Sequence, residues 1–295
     1  MEDCHIPGIL SPRFPLPASS PKSSPRYLCP QLAIKIKTPE QIEKIREASK
    51  LAAETVKYLG QFVKAGITTA EIDKLCNKYV TERGGIPASL GYRNFPASCC
   101  TSVNDVICHG VPGSYILRDG DIINIDVAVR LNGFFGDTCN MFAVGSINEP
   151  AQKILKVSKE CLRIGIAQCI PGNHLGNIGF EINRYAKANG CAVVYEFCGH
   201  GTGIHYHEDP EVSHVTHNRN EGPIIRPGMV FTVEPMINAG KARSKIDKRD
   251  NWTARTIDGR LSAQYEHTIL ITPYGPDVLT DIENEFAKPI AQLEV

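Results

Sequence analysis

Two stretches of this chain repeat one another, and that repeat limits the possible folds more than any other feature. Leu117–Asp126 (LRDGDIINID) aligns with Ile225–Glu234 (IRPGMVFTVE) at a separation of 108 residues. Upstream of each, Gly66–Gly84 aligns with Gly172–Gly190 at a separation of 106, matching Ile72 with Ile178, Asn77 with Asn183 and Tyr79 with Tyr185. Two near-equal offsets in separate segments describe two related halves, each running helix, helix and then antiparallel strands, packed about a pseudo-twofold axis. Both aligned strands end in a carboxylate, Asp126 and Glu234. The repeat therefore brings acids from the two halves toward a shared centre.

A different kind of sequence precedes the repeat. The first thirty residues hold seven of the twenty prolines and five serines, with too little apolar surface to fold alone. Residues 1–37 read as an extended or disordered, mildly basic extension, or as a docking arm whose P-x-x-P runs (Pro12–Pro15) meet an aromatic groove. Cys4, His5 and Cys29 are too few and too dispersed to hold zinc. The folded domain, 38–295, opens at Thr38-Pro39-Glu40-Gln41: an N-cap, a proline suited to the first turn and a capping-box glutamine. Ile42, Ile45, Ala52, Val56 and Leu59 then mark one helical face. A second helix starts at Thr69, carries Ile72, Leu75, Cys76, Tyr79 and Val80, and stops at Gly84-Gly85. Strand-like runs follow at 121–129, 134–144, 191–197, 229–237 and 267–272.

Composition narrows the functional classes. The 32 basic and 32 acidic residues cancel, which argues against sequence-specific nucleic-acid binding. No run approaches the roughly 18 apolar residues of a membrane span, and the N-terminus lacks the pattern of a signal peptide. Eleven scattered cysteines, an odd number, suggest free thiols in a reducing, cytoplasmic setting.

The acids carry the chemistry. Asn132-Gly133 is a strong hairpin signal. With those two residues as the loop, Leu131 faces Phe134 and Asp126 faces Cys139, so Asp137 lies diagonally beside Asp126 on the same face. Ile122, Ile123, Ile125, Val127 and Phe142 surround them, and an unpaired anion among such residues is costly. A metal balances that charge most simply; a pair of arginines is the alternative. Glu234 and Glu266 sit in similar apolar runs. Four carboxylates exceed the needs of one divalent ion and suit two. An oxygen-rich set with one imidazole leans toward Mn, Fe(II), Co or Mg, with Zn also compatible. His200, between two glycines, can approach such a centre; His207 and His109 are further candidates. His214 and His217 read as residues of a polar loop, and His205 and His267 as strand neighbours pointing away.

These motifs resemble those of the type I methionine aminopeptidases: VICHGVP around His109, INIDV at Asp126, GDT at Asp137, CGHGTG at His200, FTVEP at Glu234 and SAQYEHT at Glu266, over Thr38 to Thr280. The resemblance implies an α+β, "pita-bread" fold: a pseudo-twofold antiparallel sheet covered by helices, with a dinuclear metal site at its centre. By that likeness Asp126, Asp137, His200, Glu234 and Glu266 ligate two divalent ions (Co, Mn, Fe(II) or Zn). Glu234 carries a proton, His207 steadies the carbonyl oxygen, and His109 meets the scissile amide. It also implies a methionine pocket of Tyr92, Phe95, Cys100, Tyr206 and Trp252, with His109 and His207 also touching substrate. A monovalent cation is implied at Asn104, Val106 and Ser262. Ser89 stands where many relatives carry cysteine, and Ile204-His205 departs from the commonest loop. The implied partners are nascent polypeptide N-termini and, through the extension, the ribosome, with no membrane. A proline-specific peptidase of the same fold needs a folded N-terminal domain, which 37 proline-rich residues do not provide. The 26 residues between His207 and Glu234 leave no room for a type II insertion. A metal-free binding relative is a poor match to a chain that keeps five ligand positions and both histidines.

Overall fold

A computed structural model of the chain describes residues 34–286. The proline-rich residues 1–33, with their P-x-x-P runs and Cys4, His5 and Cys29, lie outside the described residues. Each half opens with two helices. In the first, α1 (Pro39–Gly60) and α2 (Thr69–Thr81) both start at capping boxes. Thr38 Oγ1 accepts from the Gln41 N–H at 3.3 Å, and Gln41 Oε1 accepts from the Thr38 N–H at 2.9 Å. Thr68 and Glu71 repeat that exchange. In the second half, α3 (Glu149–Ala167) is capped by Asn148 Oδ1, which accepts from the Ala151 N–H, and α4 (Gly176–Ala188) follows.

Short strands come after each helix pair. The first half contributes β1 (Ile86–Pro87), β2 (Cys100–Val103), β3 (Val106–Cys108), β4 (Ile122–Leu131) and β5 (Phe134–Ala143). The second contributes β6 (Ala192–Val193), β7 (Gly199–Gly201), β8 (Glu208–Val212), β9 (Val230–Val233), β10 (Met236–Asn238), β11 (Ser244–Ile246), β12 (Ala254–Thr256), β13 (Ser262–Gln264), β14 (His267–Thr272) and β15 (Gly275–Val278). All pairings are antiparallel, and β4 joins β5, β2 and β1 in one sheet while β15-β14-β9-β7-β8 form another. Residues matched by the repeat occupy equivalent cores. Ile72 and Ile123 are buried in the cluster under α1 and α2, and Ile178 and Phe231 in the cluster under α3 and α4.

The β4–β5 hairpin has the expected register: Leu131 faces Phe134 and Asp126 faces Cys139. Asn132 (φ 51°) and Gly133 (φ 86°) supply the two left-handed positions that a tight two-residue turn demands. The run 191–197 behaves differently, because only Ala192–Val193 forms a strand. The ladder against β10 ends with the Val194 N–H donating to the Met236 carbonyl at 3.0 Å, because the next N–H facing it, that of Glu234, is taken by His214 Nε2.

The two halves are stitched at the middle. Cys139 bridges Glu266, the Thr138 hydroxyl donates to the Glu266 carbonyl at 2.7 Å, and the Thr268 hydroxyl donates to the Asp137 carbonyl at 2.7 Å. Residues 34–37, assigned above to the extension, pack on the folded body, so the edge of the domain lies before Thr38. Their alternating sequence explains it. Ile34 packs against the second core, the Lys37 N–H donates to the Gly228 carbonyl at 2.8 Å, and the Lys37 ammonium pairs with Glu208.

Both members of that ion pair are buried, with side chains 1% and 6% exposed. Breaking one side of such a pair strands the other charge. Lys37→Met is therefore expected to lower unfolding free energy by about 3 kcal/mol in urea titration, with Lys37→Met/Glu208→Gln recovering part of the loss.

Candidate metal centre

Each acid is delivered by a different local device. Asp126 sits inside β4, with Cys100 of β2 opposite it on one side and Cys139 of β5 on the other. Asp137 lies two residues before Cys139 on β5, where the Thr268 hydroxyl touches both its N–H and its carbonyl. Glu234 follows β9 and precedes Pro235, and Glu266 precedes β14. His200 occupies the middle of β7. Its flanking glycines serve the backbone more than the ring. A Cβ at Gly199 would lie 2.5 Å from the Thr232 carbonyl oxygen, and one at Gly201 would lie 2.2 Å from that of Asp209.

The side chains converge. One ligand atom each from Asp137, His200 and Glu266 lie within 4.8 Å of one another. His200 Nε2 is 3.7 Å from Asp137 Oδ2 and 3.7 Å from Glu234 Oε1. Its Nδ1 lies 3.0 Å from the Gly201 carbonyl. That contact places the ring proton on Nδ1 and turns the Nε2 lone pair toward the acids. Glu234 is held at both oxygens: the Thr232 hydroxyl donates to Oε1 at 2.6 Å and Gln264 Nε2 donates to Oε2 at 3.1 Å. Thr232 also accepts from the His200 N–H at 2.9 Å, so one hydroxyl ties two candidate ligands.

Burial governs the electrostatics. It raises the proton affinity of all four carboxyls, and mutual repulsion adds to this at Asp137, Glu234 and Glu266. No lysine or arginine among the described residues pairs with any of the four; the nearest basic group is the His200 ring, which burial keeps neutral. Asp137 Oδ1 is buried without a hydrogen-bond partner. The arginine alternative is thus set aside. An oxygen-rich cluster with a free imidazole lone pair and an orphaned carboxylate oxygen fits divalent cations.

The remaining candidates line the approach. His109 is held at φ 54°, a left-handed conformation costly for a residue with a side chain. Its ring meets Phe197 edge-on at 5.3 Å and Trp252 at 6.0 Å, and burial lowers its pKa to about 4. His207 stacks on Tyr92 at 5.0 Å and leans on His200 at 4.0 Å. Phe95, Cys100 and Trp252 form one apolar cluster with Val111, and Tyr206 closes on Tyr92 at 4.8 Å while meeting Ser89 at 3.3 Å. The Ser262 N–H donates to the Asn104 carbonyl at 2.9 Å, and Val106 lies nearby on β3.

Four histidines complete the picture. His205 and His217 are exposed, and the His267 ring points away from the acids to Thr280 and Phe286. His214 corrects the sequence reading: it is 1% exposed, and its Nε2 accepts the Glu234 N–H at 3.1 Å. Sequence reasoning also passed over Thr232, Gln264 and Phe197. Thr232 and Gln264 each lie two residues before a candidate acid, the spacing that puts strand residues on one face. Phe197 offered no such signal.

Residues 43–273 match the model of metallopeptidase family M24. The chain belongs to that family. It is 46% identical over 251 residues to the methionine aminopeptidase of Escherichia coli K12, a match covering 84% of this chain and 94% of that one. Among solved structures it is similar to methionine aminopeptidase from Rickettsia prowazekii, at 42% identity and a TM-score of 0.82. The enzyme from Thermotoga maritima matches at 33% and 0.81, and both structures cover 84% of this chain and 99% of their own. The M24 likeness agrees with the pita-bread architecture and implies divalent metal.

Removing the metal should expose the electrostatic cost. Carboxyls with raised folded pKa values stabilise below their unfolded values and lose that contribution as pH rises through the folded ones, about 7 for Asp126 and about 8 for Glu234. The histidines whose folded pKa values are depressed act oppositely, but only below about 6.5. The chelated protein is therefore expected to lose thermal stability between about pH 6.5 and 8, and saturating Mn²⁺ to abolish that slope in calorimetry.

Proposed function

We propose that this chain is a type I methionine aminopeptidase that removes the first methionine from nascent proteins and peptides with a small second residue. The observation carrying this reading is the meeting of acids from both halves with the His200 Nε2 lone pair, in a chain that spans 94% of a methionine aminopeptidase. Asp126, Asp137, His200, Glu234 and Glu266 hold two divalent ions, of Co, Mn, Fe(II) or Zn. Bound there, the ions supply an activated water and offset the charge that develops on the peptide carbonyl. Glu234 carries the proton from attacking water to the leaving amine. His207, presented by its stack on Tyr92, donates to the carbonyl oxygen. His109 meets the scissile amide.

The methionine side chain lies among Tyr92, Phe95, Cys100, Tyr206 and Trp252, where aromatic edges and a thiol suit a thioether. Phe197 and Trp252 press on His109 from two sides and restrict the second substrate residue. Asn104, Val106 and Ser262 hold a monovalent cation. The enzyme works in the cytoplasm, where residues 1–33 tether it near ribosomes through a few basic side chains. In support of the setting, the described cysteines are free thiols, and no described helix is long and apolar enough to cross a membrane.

A peptide panel tests the activity. Met-Ala-Ser should release methionine at least about a hundredfold faster than Met-Phe-Ser, a barrier difference near 3 kcal/mol. Asp126→Ala and Asp137→Ala should each remove turnover and weaken Mn²⁺ binding. Preference for an Xaa-Pro bond would overturn the assignment. Removing residues 1–33 should leave kcat/KM on Met-Ala-Ser within about threefold while reducing co-sedimentation with ribosomes at moderate salt; unchanged sedimentation would dismiss the tether.

A further inference from the structure

The backbone at Glu234 differs from the backbone at its repeat-mate. Asp126 lies within a ten-residue strand, flanked in register by Cys100 and Cys139. Glu234 lies in the break between β9 and β10. On one side of that break the neighbouring strand changes: β9 pairs with β7 through Gly201 and Phe231, and β10 pairs with β6 through Ile237 and Val193. The next residue, Pro235, has no N–H to give. A buried N–H left unpaired here would be costly.

A side chain fills the gap. The Glu234 N–H donates to His214 Nε2 at 3.1 Å, and His214 is buried two residues beyond β8. The loop that brings it there is tightly seated. A Cβ at Gly179 of α4 would lie 2.4 Å from the Ser213 carbonyl oxygen and 2.9 Å from the His214 carbonyl carbon. Ser213 pins the turn by donating to the Val215 carbonyl at 2.8 Å. The carboxylate of Glu234 is separately fixed by Thr232 and Gln264.

We propose that His214 is a positioning residue for the metal centre: its Nε2 replaces the missing strand partner of Glu234 and so fixes the backbone from which that carboxylate reaches the ions. This rests on Glu234 being a ligand, as argued under the proposed function, but not on the identity of the peptide substrate. Partners that orient metal ligands commonly affect affinity by 10- to 100-fold. His214→Leu, which removes the acceptor, is expected to weaken Mn²⁺ binding to the chelated protein by about tenfold or more. His214→Gln, whose Oε1 falls near the position of Nε2, should return affinity to within about threefold of wild type.

The measurement is calorimetric titration of Mn²⁺ into the full chain without substrate, alongside KM and kcat for Met-Ala-Ser. Lower kcat and weaker metal binding at unchanged KM in His214→Leu, rescued by glutamine, support the role. Wild-type metal affinity in His214→Leu overturns it, as does equal weakening in the leucine and glutamine variants at matched melting temperature. Should His214→Leu not fold, His214→Gln is compared with His214→Asn, whose carbonyl is too short to reach; equal affinities then overturn the proposal. A wild-type chain that binds Mn²⁺ but cleaves no methionine would instead count against the peptidase reading alone.

Discussion

Four carboxylates that no lysine or arginine among the described residues neutralises share one desolvated centre, and much of the surrounding architecture can be understood as the means of holding them there. Repulsion among them opposes folding unless the backbone positions are set by contacts that do not involve the acids themselves. The seam threonines do this for Asp137 and Glu266, through hydroxyls that bond the carbonyls of the opposite half. Glu234 is the exception, because Thr232 and Gln264 donate directly to its two carboxylate oxygens. In each case the donor is neutral, so no opposite charge cancels that of the acid.

Histidines meet the same desolvation with the opposite result. Burial drives His109, His200 and His214 toward the neutral form, which keeps ring lone pairs available instead of adding positive charge. At His200 the spare ring N–H is absorbed by the adjacent carbonyl, and at His214 the lone pair is given to a backbone amide. Neutral rings beside anionic oxygens leave a net negative cavity, the field that draws in divalent cations.

What the sequence disclosed follows how locally each feature is encoded. The Asn132-Gly133 turn specifies its hairpin register, because two adjacent left-handed positions accept few residue pairs; with the register came the diagonal of Asp126 and Asp137. The capping box at Thr38 is equally local. The repeat matches Ile72 with Ile178, and both occupy core positions of their halves. Hidden from that reading were features set by distant backbone. His214 sits among polar neighbours in sequence, yet Gly179 of another helix lets its loop sink inward. Residues 34–37 looked like tail because the acid that pairs with Lys37, Glu208, lies 171 residues away. The run 191–197 stops short as a strand because the Glu234 N–H that would extend its ladder is taken by His214, which no local pattern reveals.

The split of the centre between the halves also bears on how the molecule reaches its folded state. One hairpin of the first half supplies Asp126 and Asp137, whereas His200, Glu234 and Glu266 arrive on three separate segments of the second. On the proposed ligand assignment neither half alone gathers a full donor set, so high-affinity metal capture would belong to the docked state and its binding energy would act on the docking equilibrium. The ion would then behave as a removable cross-link between segments far apart in sequence, such as those of Asp126 and Glu234, 108 residues apart. Cellular metal supply would set both the fraction of chain that is active and the lifetime of the folded population against proteolysis.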